Sequence, residues 1–366
     1  MRHVLCFITL FSFSWLSAFD SSIPVLHLPD YSNENQKKEF LEALEHAVND
    51  VGFFAITGAG LPNQSLNSAY EQAKKFFTRD LSEKMELFAL SKNRGYIPGE
   101  SAKNETRKDF KELFHIGREL SQTDQERLQY EKNIWPKNLE TFRTVIQPIF
   151  THIDDCKNTL GEAFSEILGQ KKGFIRNMIQ EGDSLLRVVH YPADVPKDGL
   201  WAGVHTDINL FTIYPPSTAP GLQFQNKAGE WINIFIPEGM LFVHCGDMLE
   251  NLSNGLCKSA IHRVSAKNPT EDRYALVFFV HPRSDDRLDP LLSCIEKTGG
   301  IRLYANLSRI ELLVERLIDL GLASRELMEV FTRSGAIEKL KEVNRFSPKA
   351  EITLIENGLI SQPELL

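Results

Sequence analysis

The chain has 366 residues, of which 42% are hydrophobic and 25% are charged, and these fractions are typical of a folded globular protein. It exceeds the roughly 250–300 residues at which one hydrophobic core stops growing, so a core with attached helices is expected. The formal net charge is −8 and the sequence contains no dense run of lysine and arginine, which argues against binding to nucleic acid or to an anionic membrane.

Residues 1–18 have the pattern of a secretory signal peptide. Arg2 and His3 precede an apolar run over residues 4–16, and Ser17 with Ala18 could end a cleavage site. The run is too short to be a stable membrane span. The alternative is an extra apolar segment packed on the domain. The four later cysteines lack the spacing of a disulfide framework, which favours reduced thiols and the cytoplasm, so the localisation stays open.

Residues 19–180 are predicted to form a mixed, largely helical N-terminal region. An edge strand is expected at Ile23–Leu28 and a buried strand at residues 52–56. Apolar residues recur at helical spacing on four segments, the last of which we expect to pack outside the core. These predicted helices span residues 39–51, 66–77, 81–88 and 139–168.

From Leu185 the apolar pattern changes to the two-residue period of strands. Many short strands, with Pro and Gly turns between them and no interleaved helices, favour a sandwich or barrel. The predicted core spans residues 181–300. Residues 301–366 form a predicted C-terminal helical extension, with helices over 310–322 and 324–341, and the sequence gives this extension no function.

Three residues of this core have the pattern of a metal site. If residues 204–214 are one strand, His205 and Asp207 project from the same face. His262 follows the turn signal Ser253-Asn254-Gly255, and a strand beginning there would return its imidazole to the same point. Two imidazoles and one carboxylate with open positions make the facial triad of non-haem Fe(II) oxygenases.

Each of these residues also has a simpler explanation. A His-x-Asp pair is common by chance, and a distant histidine is more often structural. Arg273 strengthens the metal-site interpretation. It enters the very apolar segment 275–280, where a buried cation needs an anionic partner.

This stretch resembles the isopenicillin N synthase family, which includes the 2-oxoglutarate- and Fe(II)-dependent dioxygenases. The resemblance covers roughly residues 22–322, and four of its matching segments carry the proposed site. It implies a mixed α+β fold with a double-stranded β-helix, or jelly-roll, core flanked by N-terminal and C-terminal helices. The matching segments are His205-Thr206-Asp207, His262-Arg263-Val264, the Arg-x-Ser position at Arg273 and the Tyr191-Pro192 pair.

The resemblance also implies roles for these residues. His205, Asp207 and His262 would hold Fe(II), and 2-oxoglutarate would bind the iron as co-substrate. Arg273 would grip the far carboxylate of 2-oxoglutarate, and Tyr191 would add a hydroxyl to it. With O2, the enzyme would hydroxylate, desaturate or cyclise a small organic substrate and release succinate and CO2. The sequence identifies neither that substrate nor the oligomeric state.

Two departures from the family pattern fall at the 2-oxoglutarate end. Ala275 stands where the family has the serine of Arg-x-Ser, and Val189 stands where the family often has asparagine. Each lost hydrogen bond costs about 1 kcal/mol. An oxidase that does without 2-oxoglutarate, as isopenicillin N synthase itself does, is therefore kept as an alternative. A non-catalytic metal-binding module is a second alternative.

Overall fold

The computed structural model describes residues 23–90, 93–99, 109–124, 130–195, 199–266 and 270–361. The signal peptide predicted over residues 1–18 lies outside these ranges. Within them, no helix is both long enough and apolar enough to cross a membrane.

The strands, in chain order, are β1 (Val25–His27), β2 (Phe53–Thr57), β3 (Gly95–Ile97), β4 (Glu112–Gly117), β5 (Leu185–Tyr191), β6 (Leu200–His205), β7 (Phe211–Tyr214), β8 (Leu222–Gln225), β9 (Trp231–Asn233), β10 (Leu241–Cys245), β11 (His262–Ser265) and β12 (Arg273–Val280). They form two sheets, one of eight strands in the order β1-β2-β10-β7-β12-β5-β4-β3 and one of four in the order β6-β11-β8-β9. All pairings are antiparallel except that of β1 with β2. Two such sheets with flanking helices confirm the mixed α+β, jelly-roll prediction.

Helices lie between strands in the first part of the chain, and further helices follow the last strand. Their bounds are α1 (Lys37–Asp50), α2 (Asn63–Phe77), α3 (Leu81–Leu90), α4 (Glu140–Ile167), α5 (Phe174–Gln180), α6 (Asp247–Leu252), α7 (Leu292–Lys297), α8 (Arg309–Asp319), α9 (Arg325–Arg333), α10 (Ala336–Glu342) and α11 (Pro348–Glu356). A short 3-10 helix occupies Leu28–Ser32.

Alternation of side chains along the strands divides the apolar core in two. On β5, Leu186 and Val188 belong to a large cluster shared with the helices, whereas Val189 and Tyr191 belong to a second cluster. That second cluster draws residues from both sheets and therefore lies between them. Since successive residues of a strand point to opposite faces of the sheet, β5 contributes side chains to both clusters. The candidate site opens from the layer between the sheets.

Two details of the predicted elements were wrong. Helix α6 interrupts the run of core strands, which the sequence pattern had suggested was free of helices. The helix predicted over 324–341 is broken into α9 and α10 at Ser334 and Gly335, because Gly335 adopts a left-handed backbone with φ of 76°. The predicted domain boundaries stay a prediction. Strands β1 to β4, which precede residue 181, belong to the same sheet as strands of the predicted core.

Candidate metal centre

The three predicted metal ligands lie together at one end of the smaller sheet. His205 ends β6 and His262 begins β11, and the two are cross-strand partners. The Nε2 atom of each lies 3.7 Å from Oδ1 of Asp207. Both separations are shorter than twice a metal–ligand distance of about 2.1 Å, so one ion can lie between Asp207 and either imidazole. One ligand atom from each residue lies within 4.8 Å of the others.

Backbone carbonyls fix the orientation of both imidazoles. Nδ1 of His205 donates to the carbonyl of Gly203 at 2.7 Å, and Nδ1 of His262 donates to that of Ala260 at 3.1 Å. Since a carbonyl only accepts, the proton of each neutral ring lies on Nδ1 and the Nε2 lone pair faces Asp207. Burial lowers the pKa of His205 and, further, that of His262. Both rings are therefore held in the neutral form that binds metals.

Asp207 lies in a turn, so the prediction of one strand over residues 204–214 was wrong. Strand β6 ends at His205, and Asp207 precedes β7. The turn is held by close approach of the chain at Gly246. A Cβ added there would lie 2.3 Å from the carbonyl oxygen of Asn209 and 2.8 Å from that of Asp207. A glycine is therefore needed at this contact, and the turn, not the strand alternation, directs the carboxylate of Asp207.

Two further side chains hold the second carboxylate oxygen. Oδ2 of Asp207 accepts a hydrogen bond of 2.6 Å from the Thr212 hydroxyl, and Nε2 of His244 lies 3.1 Å from it. Burial alone would raise the pKa of Asp207, but the surrounding imidazoles, first His262 and then His244, hold this pKa well below its usual value. The carboxylate is thus ionised and presents Oδ1 to the two histidines.

Neither Thr212 nor His244 was predicted from the sequence. They are cross-strand partners on β7 and β10, and both are completely buried. A polar residue inside an otherwise apolar strand was the available signal, and a single buried histidine is more often structural.

Arg273 and Tyr191, predicted to bind the co-substrate, are also cross-strand partners. The guanidinium carbon lies 4.9 Å from the centre of the Tyr191 ring. Nε donates to the carbonyl of Ala219 at 2.9 Å and Nη2 to the hydroxyl of Ser217 at 3.0 Å. Nη1 is buried and has no hydrogen-bond partner among the described residues. An unsatisfied buried cationic N–H is costly, so this atom fits an anionic ligand.

The two residues that depart from the family pattern lie opposite each other on neighbouring strands. Ala275 and Val189 are cross-strand partners and pack in the apolar cluster between the sheets. Ser217, on the loop between β7 and β8, places a hydroxyl on Arg273 from another direction. The polar groups lost at 275 and 189 are thus replaced by an apolar pair, while the guanidinium keeps a hydroxyl contact.

The triad opens into a cavity of about 430 Å³, a volume suited to a small molecule. Tyr191 lines this cavity with the triad, and the guanidinium of Arg273 packs on the Tyr191 ring without being one of the lining groups. Helix α8 and the residues after it supply apolar side chains to the opposite wall, among them Leu313, Leu317 and Leu320.

Arg316 of α8 connects this wall to the turn that carries Asp207. Its Nη1 donates to the carbonyl of Thr206 at 3.2 Å, and its Nη2 forms an ion pair with Asp247. Asp247 in turn donates its backbone N–H to the carbonyl of Asp207 at 2.8 Å. The C-terminal extension, which had no predicted function, therefore contacts the loop that follows His205 and carries Asp207.

Two family models match the chain. One is described as non-haem dioxygenase in morphine synthesis N-terminal and matches residues 23–138, and the other as 2OG-Fe(II) oxygenase superfamily and matches residues 182–282. Among curated relatives, homoarginine-6-hydroxylase of Arabidopsis thaliana is 27% identical and covers 75% of this chain and 86% of its own. Clavatol oxidase of Penicillium crustosum is 29% identical, with 70% and 83% covered.

Solved structures show the same fold. A 2OG-Fe(II) oxygenase family protein from Caulobacter crescentus superposes with a TM-score of 0.72 and 30% identity, covering 81% of this chain and 99% of its own. A Neurospora crassa protein in complex with alpha-KG superposes with a TM-score of 0.70 at 22% identity, covering 82% and 98%.

Proposed function

Because this chain belongs to the 2OG-Fe(II) oxygenase superfamily, we propose that His205, Asp207 and His262 bind its ferrous iron. Family membership makes the protein an oxidoreductase that uses O2 and 2-oxoglutarate to oxidise a small organic substrate. The observation that carries the residue assignment is the convergence of three ligand atoms whose other atoms are already bonded. Two imidazole nitrogens and one carboxylate oxygen leave coordination positions open for co-substrate and O2.

The buried Nη1 of Arg273 supports a site for the far carboxylate of 2-oxoglutarate. This atom has no other partner among the described residues, and an ionised carboxylate would satisfy it with a charge-assisted hydrogen bond. Tyr191, the cross-strand partner of Arg273, lines the cavity, and its hydroxyl would bind the same carboxylate. The charge pairing does not depend on the groups lost at Ala275 and Val189.

The protein's own residues would orient and shield the reaction. Bound Fe(II) and 2-oxoglutarate supply the activation of O2, with succinate and CO2 as products. His205 and His262 keep their Nδ1 protons on backbone carbonyls during turnover, so their Nε2 atoms stay directed at one point. The apolar wall from α8 limits water beside the triad and leaves the substrate's C–H bond as the group to be oxidised.

Relatives favour 2-oxoglutarate use over the alternative oxidase, since they include a protein named as a 2-oxoglutarate-dependent dioxygenase. Their names select no substrate for this chain, because homoarginine-6-hydroxylase and clavatol oxidase are named for unlike molecules. The substrate has to be inferred from the cavity.

An anaerobic titration of the purified apoprotein with Fe(II), and then with 2-oxoglutarate, tests the proposal. Chelation of iron by the 2-oxo acid produces a visible charge-transfer band. We expect a saturable band in the native protein, no iron binding in His262→Ala, and bound iron with a much weakened band in Arg273→Ala at the same 2-oxoglutarate concentration.

Two matched variants control for non-specific damage. Arg263→Ala removes a guanidinium that packs on Trp231 on the other face of the small sheet, and His46→Ala removes an exposed histidine. Both are expected to give the native titration. Native iron binding in His262→Ala would contradict the assigned ligands, and a native band in Arg273→Ala would contradict the assigned co-substrate residue.

A further inference from the structure

One face of helix α8 forms a wall of the cavity that holds the triad. The cavity-lining residues of this helix recur at intervals of three and four, so they lie on one face. Arg309 occupies the first turn, and Leu313 and Leu317 follow it along the same face. The wall is therefore cationic at the start of the helix and apolar at Leu313 and Leu317, and the further cation that lines it, Arg316, is paired with Asp247.

Arg316 sets the position of this wall relative to the metal ligands. It contacts Thr206, which lies between His205 and Asp207 in the chain. Arg309 precedes Arg316 by seven residues, which places it about 10 Å back along the helix axis at a rise of 1.5 Å per residue. Arg309 thus marks the end of the cavity that is remote from the triad.

The remote end carries an excess of positive charge. Asp183 is the carboxylate that faces Arg309, but it already forms an ion pair with Arg94. Nε of Arg309 is buried and has no hydrogen-bond partner among the described residues. His281 beside it stays neutral, because burial lowers its pKa to about 3. Arg94 and Arg309 therefore share the carboxylate of Asp183, and Arg187, whose Nε donates to Nε2 of His115, adds a third guanidinium to the cavity lining.

We propose that the substrate is an amphipathic organic carboxylate whose anionic group binds Arg309. This inference rests on the function proposed above. The guanidinium would form a two-pronged, charge-assisted pair with the carboxylate, and Leu313 and Leu317 would cover the apolar body. The reacting carbon then lies at the triad, and Leu313 and Leu317 contact the part of the substrate between it and the anionic group.

Matched pairs of probes test the proposal without knowledge of the natural substrate. Straight-chain carboxylates from butyrate to dodecanoate, and the primary amide of each, are titrated anaerobically into protein loaded with Fe(II) and 2-oxoglutarate. A ligand beside the iron displaces water and perturbs the charge-transfer band, and calorimetry gives the dissociation constant independently. We expect the longer carboxylates of the series to bind at least tenfold more tightly than their amides, and butyrate, which is too short to contact Leu313 and Leu317 as well as Arg309, to bind weakly.

Variants of Arg309 test whether this residue causes the preference for the acid over the amide. Arg309→Met is expected to bind acid and amide equally, whereas Arg309→Lys, which keeps the charge, is expected to retain part of the preference. Arg325→Met is the matched control, because Arg325 also begins a helix after a serine N-cap but forms an ion pair with Glu329 on the surface. It is expected to behave as the native protein.

Different results would contradict the proposed substrate and the proposed function. Loss of the charge-transfer band in the native protein would overturn the proposed function itself. A normal band with no preference for any acid over its amide would overturn only the inference about the substrate. So would an unchanged preference in Arg309→Met. The comparison of acid with amide in the native protein needs no variant and holds even if Arg309→Met does not fold.

Discussion

At the scale of single residues, the two oxygens of Asp207 have different surroundings. Oδ1 faces the Nε2 atoms of His205 and His262, whereas Oδ2 is held by Thr212 and His244. A carboxylate held through one oxygen has little freedom to rotate or to chelate with both. If Asp207 binds iron as proposed, Thr212 and His244 restrict it to one coordination position.

Replacement of Thr212 by valine tests this arrangement. The change preserves the shape of the side chain but removes the 2.6 Å hydrogen bond to Oδ2. We expect Fe(II) affinity to fall about tenfold, since hydrogen bonds to metal ligands commonly contribute that much. Anaerobic titration measures it, with the exposed Thr144→Val on α4 as the control. Equal affinity in both variants would show that the hydroxyl does not orient the carboxylate.

His281 predicts a pH dependence of stability. Burial lowers its folded-state pKa to about 3, against about 6.5 in an unfolded chain. Between these values the unfolded chain binds one proton more than the native protein, so stability falls as pH drops through this window. From pH 7 to 5.5, His281 should account for about 1 kcal/mol of lost unfolding free energy.

Urea unfolding of the native protein and of His281→Gln at both pH values isolates this contribution. The variant is expected to lose about 1 kcal/mol less than the native protein over the same interval. The surface variant His46→Gln serves as the control. An identical pH dependence in the native protein and in His281→Gln would mean that the ring is already charged when folded.

At the scale of elements, the contact between α8 and the turn that carries Asp207 joins the C-terminal helices to the candidate metal site. Arg316 pairs with Asp247, and both side chains are mostly buried. Arg316→Met leaves the carboxylate of Asp247 without its cation, which should cost about 3 kcal/mol of unfolding free energy. The same measurement on Arg325→Met, which breaks an exposed pair with Glu329, should show about 0.5 kcal/mol or less.

Iron affinity distinguishes a local effect from a general loss of stability. Because Arg316 bonds to the carbonyl of Thr206, its loss should also weaken Fe(II) binding at a temperature where the variant is fully folded. Equal stabilities of Arg316→Met and Arg325→Met would argue against any role for this contact in holding the turn.

The elements explain what the sequence could and could not predict. Strand periodicity and the turn before His262 were enough to place β11 beside β6, so the approach of the two histidines was predictable. The turn at Asp207 was not, because it depends on backbone contact with Gly246, which lies 39 residues further along the chain (246 − 207). Local patterns carry no signal for such a contact.

The same limit applies to residues that act through other residues. His244 and Arg316 had no motif to identify them, and their partners become visible only when distant elements pack together. The helical face of α8 was recognisable in the sequence. That it would face the triad was not, because the packing of a C-terminal helix on a barrel is a tertiary choice.

At the scale of the whole molecule, the cysteines allow a test of both folding and processing. Cys156, Cys245, Cys257 and Cys294 are buried and free. Burial raises the pKa of Cys156 and of Cys294 to about 11, which keeps their thiols protonated at neutral pH. We expect the folded protein to react only slowly at these four positions with a thiol-reactive disulfide reagent.

Unfolding in denaturant should release these thiols, and their number reports on the N-terminus. The full sequence contains five cysteines, of which Cys6 belongs to the predicted signal peptide. A processed chain should therefore show four thiols, and an unprocessed chain five. Rapid reaction of all four buried thiols in the folded protein would contradict their burial.

Helix α8 lies beyond residues 182–282, the stretch matched by the superfamily model, yet it touches the same cavity. The proposed iron ligands and one wall of the cavity thus lie in separate stretches of one chain. Substitutions at Arg309, Leu313 and Leu317 can therefore change that wall while the proposed ligands stay the same. The helix is equally a compact target for directed evolution, in which a library confined to these positions samples new substrates on a constant catalytic centre.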